Sequence, residues 1–137
     1  MGPPGSKLNP TFRFHGKTVL FYDTSHGNQV EYYGEGGRCY LWYPGNRVVL
    51  AGEWRVDEEF LYFRYGKNTY NPVTGQRGGG WERARLRGYG ANVVEAVEGD
   101  PLNLADRGLP YRLLPHPPLQ SIAEAKVKSE EAKRSAS

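Results

Sequence analysis

Asp23, Ser25 and His26 fall within four residues, in "FYDTSHGN". A carboxylate, a hydroxyl and an imidazole are the parts of a nucleophile, its base and an orienting group. On an extended strand, however, neighbouring residues point to opposite faces, so Ser25 and His26 diverge unless a turn reorients them. The Gly-Asn that follows is a hairpin signal, and in hairpin turns Asp and Ser bond to nearby backbone. The stretch is therefore read first as an Asx- or Ser-type turn and only then as a hydrolase-like site. Asp23 and His26 have no third ligand at a suitable spacing, and His15 and His116 stand alone. No metal and no cofactor is expected. Asp57, Glu58 and Glu59 read as a solvated hairpin tip rather than a paired-carboxylate site.

A second group of residues suits binding rather than catalysis. "GQRGGG" is not a phosphate loop, since it lacks the Gly-Lys-Ser/Thr ending and no helix follows it. It does place Arg77 on a Gly-rich loop running from Tyr70 to Gly80. Trp81, Arg83 and Arg85 then share one face of the strand that follows. Arginines interleaved with aromatics can stack on bases and grip phosphates, as small β-barrels do. The competing expectation is an edge strand whose charges prevent pairing with other sheets.

A third group lies in "RCYLWY" and "FLYFRY", which are apolar or aromatic on both faces. Tyr40 and Trp42 share one face of the first strand; Phe60, Tyr62 and Arg64 share one face of the second. Such a strand is covered on both sides or else displays an aromatic surface. The cover would be the C-terminal segment or a second copy of the chain.

The elements that position these residues are legible between 11 and 86. Polar and apolar residues alternate with period two, punctuated by Gly, Asn and Pro, and no helix-length periodicity appears. Strands are predicted over "TFRFHG", "KTVLFYD", "QVEYYG", "RCYLWY", "RVVLAG", "EWRV", "FLYFRYG" and "WERARL". The fold class is thus all-β: an antiparallel meander of seven to eight strands forming a small barrel or curled sheet, with an extended C-terminal arm. The organisation reads as a flexible leader at 1–10, a β-meander domain at 11–87, an arm at 88–119 and a polar tail at 120–137. Leu102, Leu104, Leu109, Leu113 and Leu114 are expected to pack the arm onto the meander or a partner. In the tail, Ser121 and Glu124 form a candidate capping box for a frayed helix, or the tail is disordered.

At 137 residues the chain can bury a core without disulfides or metals. Its single cysteine, Cys39, can form no intramolecular disulfide. Nine of its ten Tyr and all three Trp lie between Tyr22 and Tyr89, so the aromatic core is in the meander. The net charge of +3 permits nucleic-acid binding without demanding it. No apolar run is long enough for a transmembrane helix. As given, the chain predicts a cytoplasmic protein, or an exported one if a signal peptide preceded it.

Two stretches, "GNQVEYYGE" and "GNRVVLAGE", begin eighteen positions apart and read as turn, strand and break. Through Gly37, Tyr40, Trp42, Pro44, Gly45, Gly52 and Trp54, the longer stretch "GGRCYLWYPGNRVVLAGEW" that contains the second resembles a MORN-type repeat. That likeness implies stacked hairpins used for protein or lipid contact. Over about residues 16–82, "GKT", "VEYYGEGG", "GEWRV", "FLYFRYG" and Trp81-Glu82 resemble a largely bacterial, β-rich domain-of-unknown-function family. This resemblance implies a β fold and no particular activity. Where that family carries cysteines, this chain has Leu61 or Tyr62 and Arg83, so its disulfide is not implied here. The functional expectation is a non-enzymatic binding or assembly module. It would hold a protein partner, a second copy or a small apolar ligand through Tyr40, Trp42, Tyr62 and the Tyr70–Gly80 loop. The alternatives are a single-stranded nucleic-acid binder using Arg77, Trp81, Arg83 and Arg85, and an enzyme around Asp23, Ser25 and His26.

Overall fold

The computed structural model describes residues 15–45, 47–57, 59–65, 70–71, 76–77, 81–85 and 91–136. The strands are β1 (Lys17–Asp23), β2 (Gly27–Tyr33), β3 (Arg38–Trp42), β4 (Leu50–Asp57), β5 (Phe60–Tyr65), β6 (Tyr70–Asn71), β7 (Gln76–Arg77), β8 (Glu82–Arg85) and β9 (Val93–Glu98). A single α-helix, α1, spans Ile122–Ala136. Seven strands form one antiparallel sheet in the order β8-β5-β4-β3-β2-β1-β9, and β6 pairs with β7 apart from it. Among the described residues the sheet does not close; β8 and β9 are its two edges. The expected strand over "TFRFHG" lies mostly outside the described residues.

The meander follows from local chemistry. Gly27 takes φ +79° at the β1–β2 turn, a conformation that a residue bearing a Cβ rarely adopts. From there β2 alternates, with Glu31 and Tyr33 facing one side of the sheet and Asn28, Val30 and Tyr32 the other. Pairing Leu20 with Val30, and Val30 with Trp42, continues that second face across three strands. On the first face Val19, Tyr33, Cys39, Leu41, Trp54 and Leu61 belong to one buried cluster. Burying such side chains contributes roughly 1.5–3 kcal/mol each, which makes these clusters the main source of stability.

The similar "GN…GE" stretches have different fates. In the first, Gly34 and Glu35 end β2 and open a short 3-10 turn at Glu35–Gly37. In the second, Gly52 and Glu53 lie inside β4, which runs unbroken where two strands, "RVVLAG" and "EWRV", are expected. Packing explains the glycine. A Cβ at Gly52 would come within 2.5 Å of the Tyr65 ring, which crosses the backbone there. That crossing brings the Tyr65 hydroxyl to Glu31 on β2, two strands further on, at 2.6 Å.

The arm region also departs from expectation. Val93–Glu98 is a strand of the main sheet, paired with β1, rather than extended arm. A shift in register between Leu20 and Phe21 lets Val93 join the first-face cluster while Val97 packs on the second. This face switch hides the strand from period-two analysis. Beyond it, Leu102, Leu104 and Leu113 are buried and Leu109 is half-buried, but Leu114 is 56% exposed. The tail forms α1. Glu124 N donates to Ser121 Oγ at 3.0 Å, and Gln120 N donates to Glu124 Oε1 at 2.8 Å. Ile122 and Ala125 bury the helix start against the second face, and Ile122 N donates to Glu95 Oε1 at 2.6 Å.

Candidate functional site

The second face of the sheet divides into two halves. Over β1, β2 and β3 it is covered by the chain's own C-terminal arm. Trp42 is completely buried, and the Tyr111 ring meets it edge-on at 5.0 Å. Tyr40 is half-buried and stacks on Tyr32 with centroids 6.1 Å apart. The expected cover of "RCYLWY" is therefore the C-terminal segment, and it takes Trp42 out of reach of any partner in this arrangement.

The arm is held by one buried side chain. Asn28 Nδ2 lies 3.1, 3.2 and 2.9 Å from the carbonyl oxygens of Leu114, Pro115 and Pro117, and Asn28 Oδ1 accepts from Leu119 N at 2.8 Å. Its backbone N–H also donates to Pro115 O at 3.0 Å. A Pro-rich segment lacks many of its own N–H donors, so its carbonyls need outside partners, and Asn28 supplies them. Gly27 leaves room for this contact, because a Cβ there would lie 2.6 Å from Pro115. The Tyr22 hydroxyl meets His116 Nδ1 at 2.7 Å beside it.

Over β4, β5 and β8 the same face is more open: Arg55, Trp81, Arg83 and Arg85 are exposed, and Phe60, Tyr62 and Arg64 are half-buried. Strand register arranges three rows there. Glu53 pairs with Arg64, next to Trp81; Arg55 pairs with Tyr62, which pairs with Arg83; Asp57 pairs with Phe60, which pairs with Arg85. The Arg55 guanidinium sits 4.3 Å from the Tyr62 ring centroid and 5.1 Å from that of Trp81. Arg64 lies 4.6 Å from Trp81, Arg83 4.4 Å and Arg85 5.0 Å from Phe60. Trp81 is 40% exposed. Glu53 accepts from Arg64 Nε at 2.8 Å, and Glu59 pairs with Arg85 at 3.2 Å. Arg55 and Arg83 have no carboxylate partner among the described residues, so their charge faces outward.

Of the expected site residues, this surface unites Tyr62, Trp81, Arg83 and Arg85. It separates them from Tyr40 and Trp42, which the arm claims. Tyr70 and Arg77 are joined to each other as Cα partners in the β6–β7 ladder, and their side chains lie outside the described residues. Arg55, Arg64 and Phe60 complete the rows, although sequence reasoning did not single them out for binding. The signal was present, since the alternation of β4 and β5 places them on the face of Tyr62; only the pairing register shows that they align.

The remaining titratable groups do other work. Asp23 Oδ1 accepts from Ser25 N at 2.8 Å and from His26 N at 2.7 Å, and His26 Nδ1 lies 3.1 Å from the same carboxylate. Partial burial acts to raise the Asp23 pKa, but these bonds from His26 and Ser25 outweigh it and hold it below the usual value. No hydrogen bond joins Ser25 Oγ to His26, so the three residues form an Asx-type turn without a nucleophile–base contact. On the first face, Glu31 is buried and accepts from the Tyr33 hydroxyl at 3.0 Å as well as from Tyr65. Burial, with Glu31 adjacent, pushes the Cys39 thiol well up, which opposes thiolate formation. Glu82 is also buried on that face, and neither of its carboxylate oxygens has a hydrogen-bond partner. Among the described residues no His, Cys, Asp and Glu side chains converge as a metal-binding group, and no helix is long and apolar enough to cross a membrane. Comparisons with protein-family models, curated proteins and solved structures find no match to this chain.

Proposed function

We propose that this protein is a non-enzymatic binding module that holds an anionic partner on the open half of its second sheet face. The observation that carries the reading is the pair Arg55 and Arg83. Each is exposed and lies over an aromatic ring, and among the described residues neither has a carboxylate partner. A guanidinium held flat over a ring loses little further freedom on binding, while its N–H edge still presents donors to an oxyanion. The covered half supports this division of labour. Trp42, which suits an apolar partner by composition, is occupied by the chain's own Tyr111 and arm leucines, and Tyr40 stacks on Tyr32 beside them.

The reading is tested by titrating the whole chain with inorganic polyphosphate and following heat release. Binding that weakens as salt rises, and that weakens further in the Arg55→Ala/Arg83→Ala double variant, is the expected result. An unchanged affinity in that variant, with its fold intact by circular dichroism, refutes the proposal.

A further inference from the structure

The geometry points to single-stranded nucleic acid as the partner of the open face, an inference that rests on reading that face as the contact surface. Three features separate this class from a generic polyanion or an acidic protein segment. The first is repetition. Successive rows along a strand on one face are separated by two residues, or about 7 Å. Each of the three rows carries one aromatic ring and at least one arginine: Trp81 with Arg64, Tyr62 with Arg55 and Arg83, and Phe60 with Arg85. The Phe60 and Tyr62 centroids are 6.3 Å apart, within the span of one extended nucleotide. A strand of nucleotides presents a flat base and a phosphate at every step, and each row offers a partner for both.

The second feature is the exposed indole. Trp81 keeps 40% of its surface open although two guanidinium groups lie against its ring. A carboxylate-bearing peptide would be satisfied by the arginines alone, whereas a base stacks on the ring or on the guanidinium plane. The third feature is shape. These rows lie on the open face of an antiparallel sheet, which is wide enough for splayed bases but does not match the grooves of a duplex. Glu53 pairs with Arg64 and Glu59 with Arg85, while Arg55 and Arg83, near the middle of the patch, have no carboxylate partner among the described residues.

The experiment compares three probes on the whole chain: a fluorescein-labelled single-stranded oligothymidylate, a duplex of equal length, and inorganic polyphosphate. Fluorescence polarisation should show the single strand bound more tightly than the duplex. Its affinity should fall with salt at a log–log slope of about −1.4, as expected when Arg55 and Arg83 neutralise two phosphates. Trp81→Ala should weaken the oligonucleotide about tenfold or more and polyphosphate clearly less, since only the oligonucleotide loses a stacking partner. Arg55→Ala with Arg83→Ala should weaken both probes and lower the salt slope. If polyphosphate binds as tightly as the oligonucleotide, or Trp81→Ala affects both probes equally, the inference is overturned while the anion-binding reading stands. If duplex matches single strand, the stacking argument fails. If no probe binds, both readings fall together. Thermal melts of each variant distinguish lost contacts from lost fold.

Discussion

The two halves of the second sheet face use the same kinds of side chain for opposite purposes. Over β1 to β3, Trp42 is sealed and Tyr40 half-covered beneath an arm whose Leu119 N–H and Pro-rich carbonyls Asn28 holds. Over β4, β5 and β8, Trp81 stays at the surface and Tyr62 and Phe60 are half-buried, with arginines over their rings. The difference lies in what surrounds each ring. Apolar neighbours and a nearby Leu-rich arm make burial favourable, whereas alternating arginines would be desolvated at high cost if the same arm extended over them. The boundary between the halves falls between β3 and β4, where Tyr40 pairs with Ala51 and Arg38 with Glu53.

The contrast is broken most directly by truncating one tryptophan in each half. Trp42→Ala should cost about 3–5 kcal/mol, because it empties a fully buried site beneath Tyr111. Trp81→Ala should cost about 1 kcal/mol, from lost contacts with Arg55 and Arg64. Denaturant melts would measure both, and equal losses would show that the second half is not open.

Next in size is Asn28→Ala, which strips Leu119 N–H and three arm carbonyls of their partner. A loss of about 2–3 kcal/mol is expected. Amide exchange at Leu119 should rise more than exchange in β5, because the arm loosens before the sheet does. Uniform acceleration across the sheet would show that the arm and sheet open as one unit.

Glu82 lies under the open half, on the opposite face of β8. Replacing this buried, unpartnered carboxylate by Leu should stabilise the chain by about 1 kcal/mol at neutral pH. A destabilised variant would mean that the carboxylate is satisfied in solution.

The smallest effect is expected at Tyr111, whose hydroxyl is buried without a partner. Tyr111→Phe should be neutral or slightly stabilising at pH 7, since the ring contact with Trp42 survives. Burial, and then the nearby Glu124, push the Tyr111 phenol up to about 12 from its ordinary 10. A pKa raised in the folded state means that the neutral phenol's contribution is complete below pH 10. It is lost as pH rises through about 12. The wild-type melting temperature should therefore fall across that window, and the Phe variant should fall less steeply. Identical alkaline limbs would remove Tyr111 as their cause.

The meander could be read from the chain because its signals are local. Alternation in "QVEYYG" and "EWRV" and the glycine at the β1–β2 turn depend only on near neighbours. The capping box at Ser121 and Glu124 was equally visible. β9 was not, because Val93 and Val97 serve opposite faces across an irregularity whose register is set by β1. Nor could the unbroken course of β4 through Gly52 be foreseen, since that glycine answers to Tyr65, thirteen residues away. The candidate site was half legible: Trp81, Arg83 and Arg85 were visible as a local pattern, while Arg55 and Arg64 joined them only through strand pairing.

The sequence by itself determined the β class, the aromatic strands and, in the regular strands β2 to β5, which residues share a face, because side-chain alternation is a property of each strand alone. Only the tertiary structure decided which aromatics are buried and which are offered to a partner. That choice depends on where the arm lands, and the arm lands where Asn28 can satisfy the carbonyls of a Pro-rich segment. A long-range hydrogen-bonding constraint of this kind leaves no periodic trace in the chain. It is what separates Trp42 from Trp81.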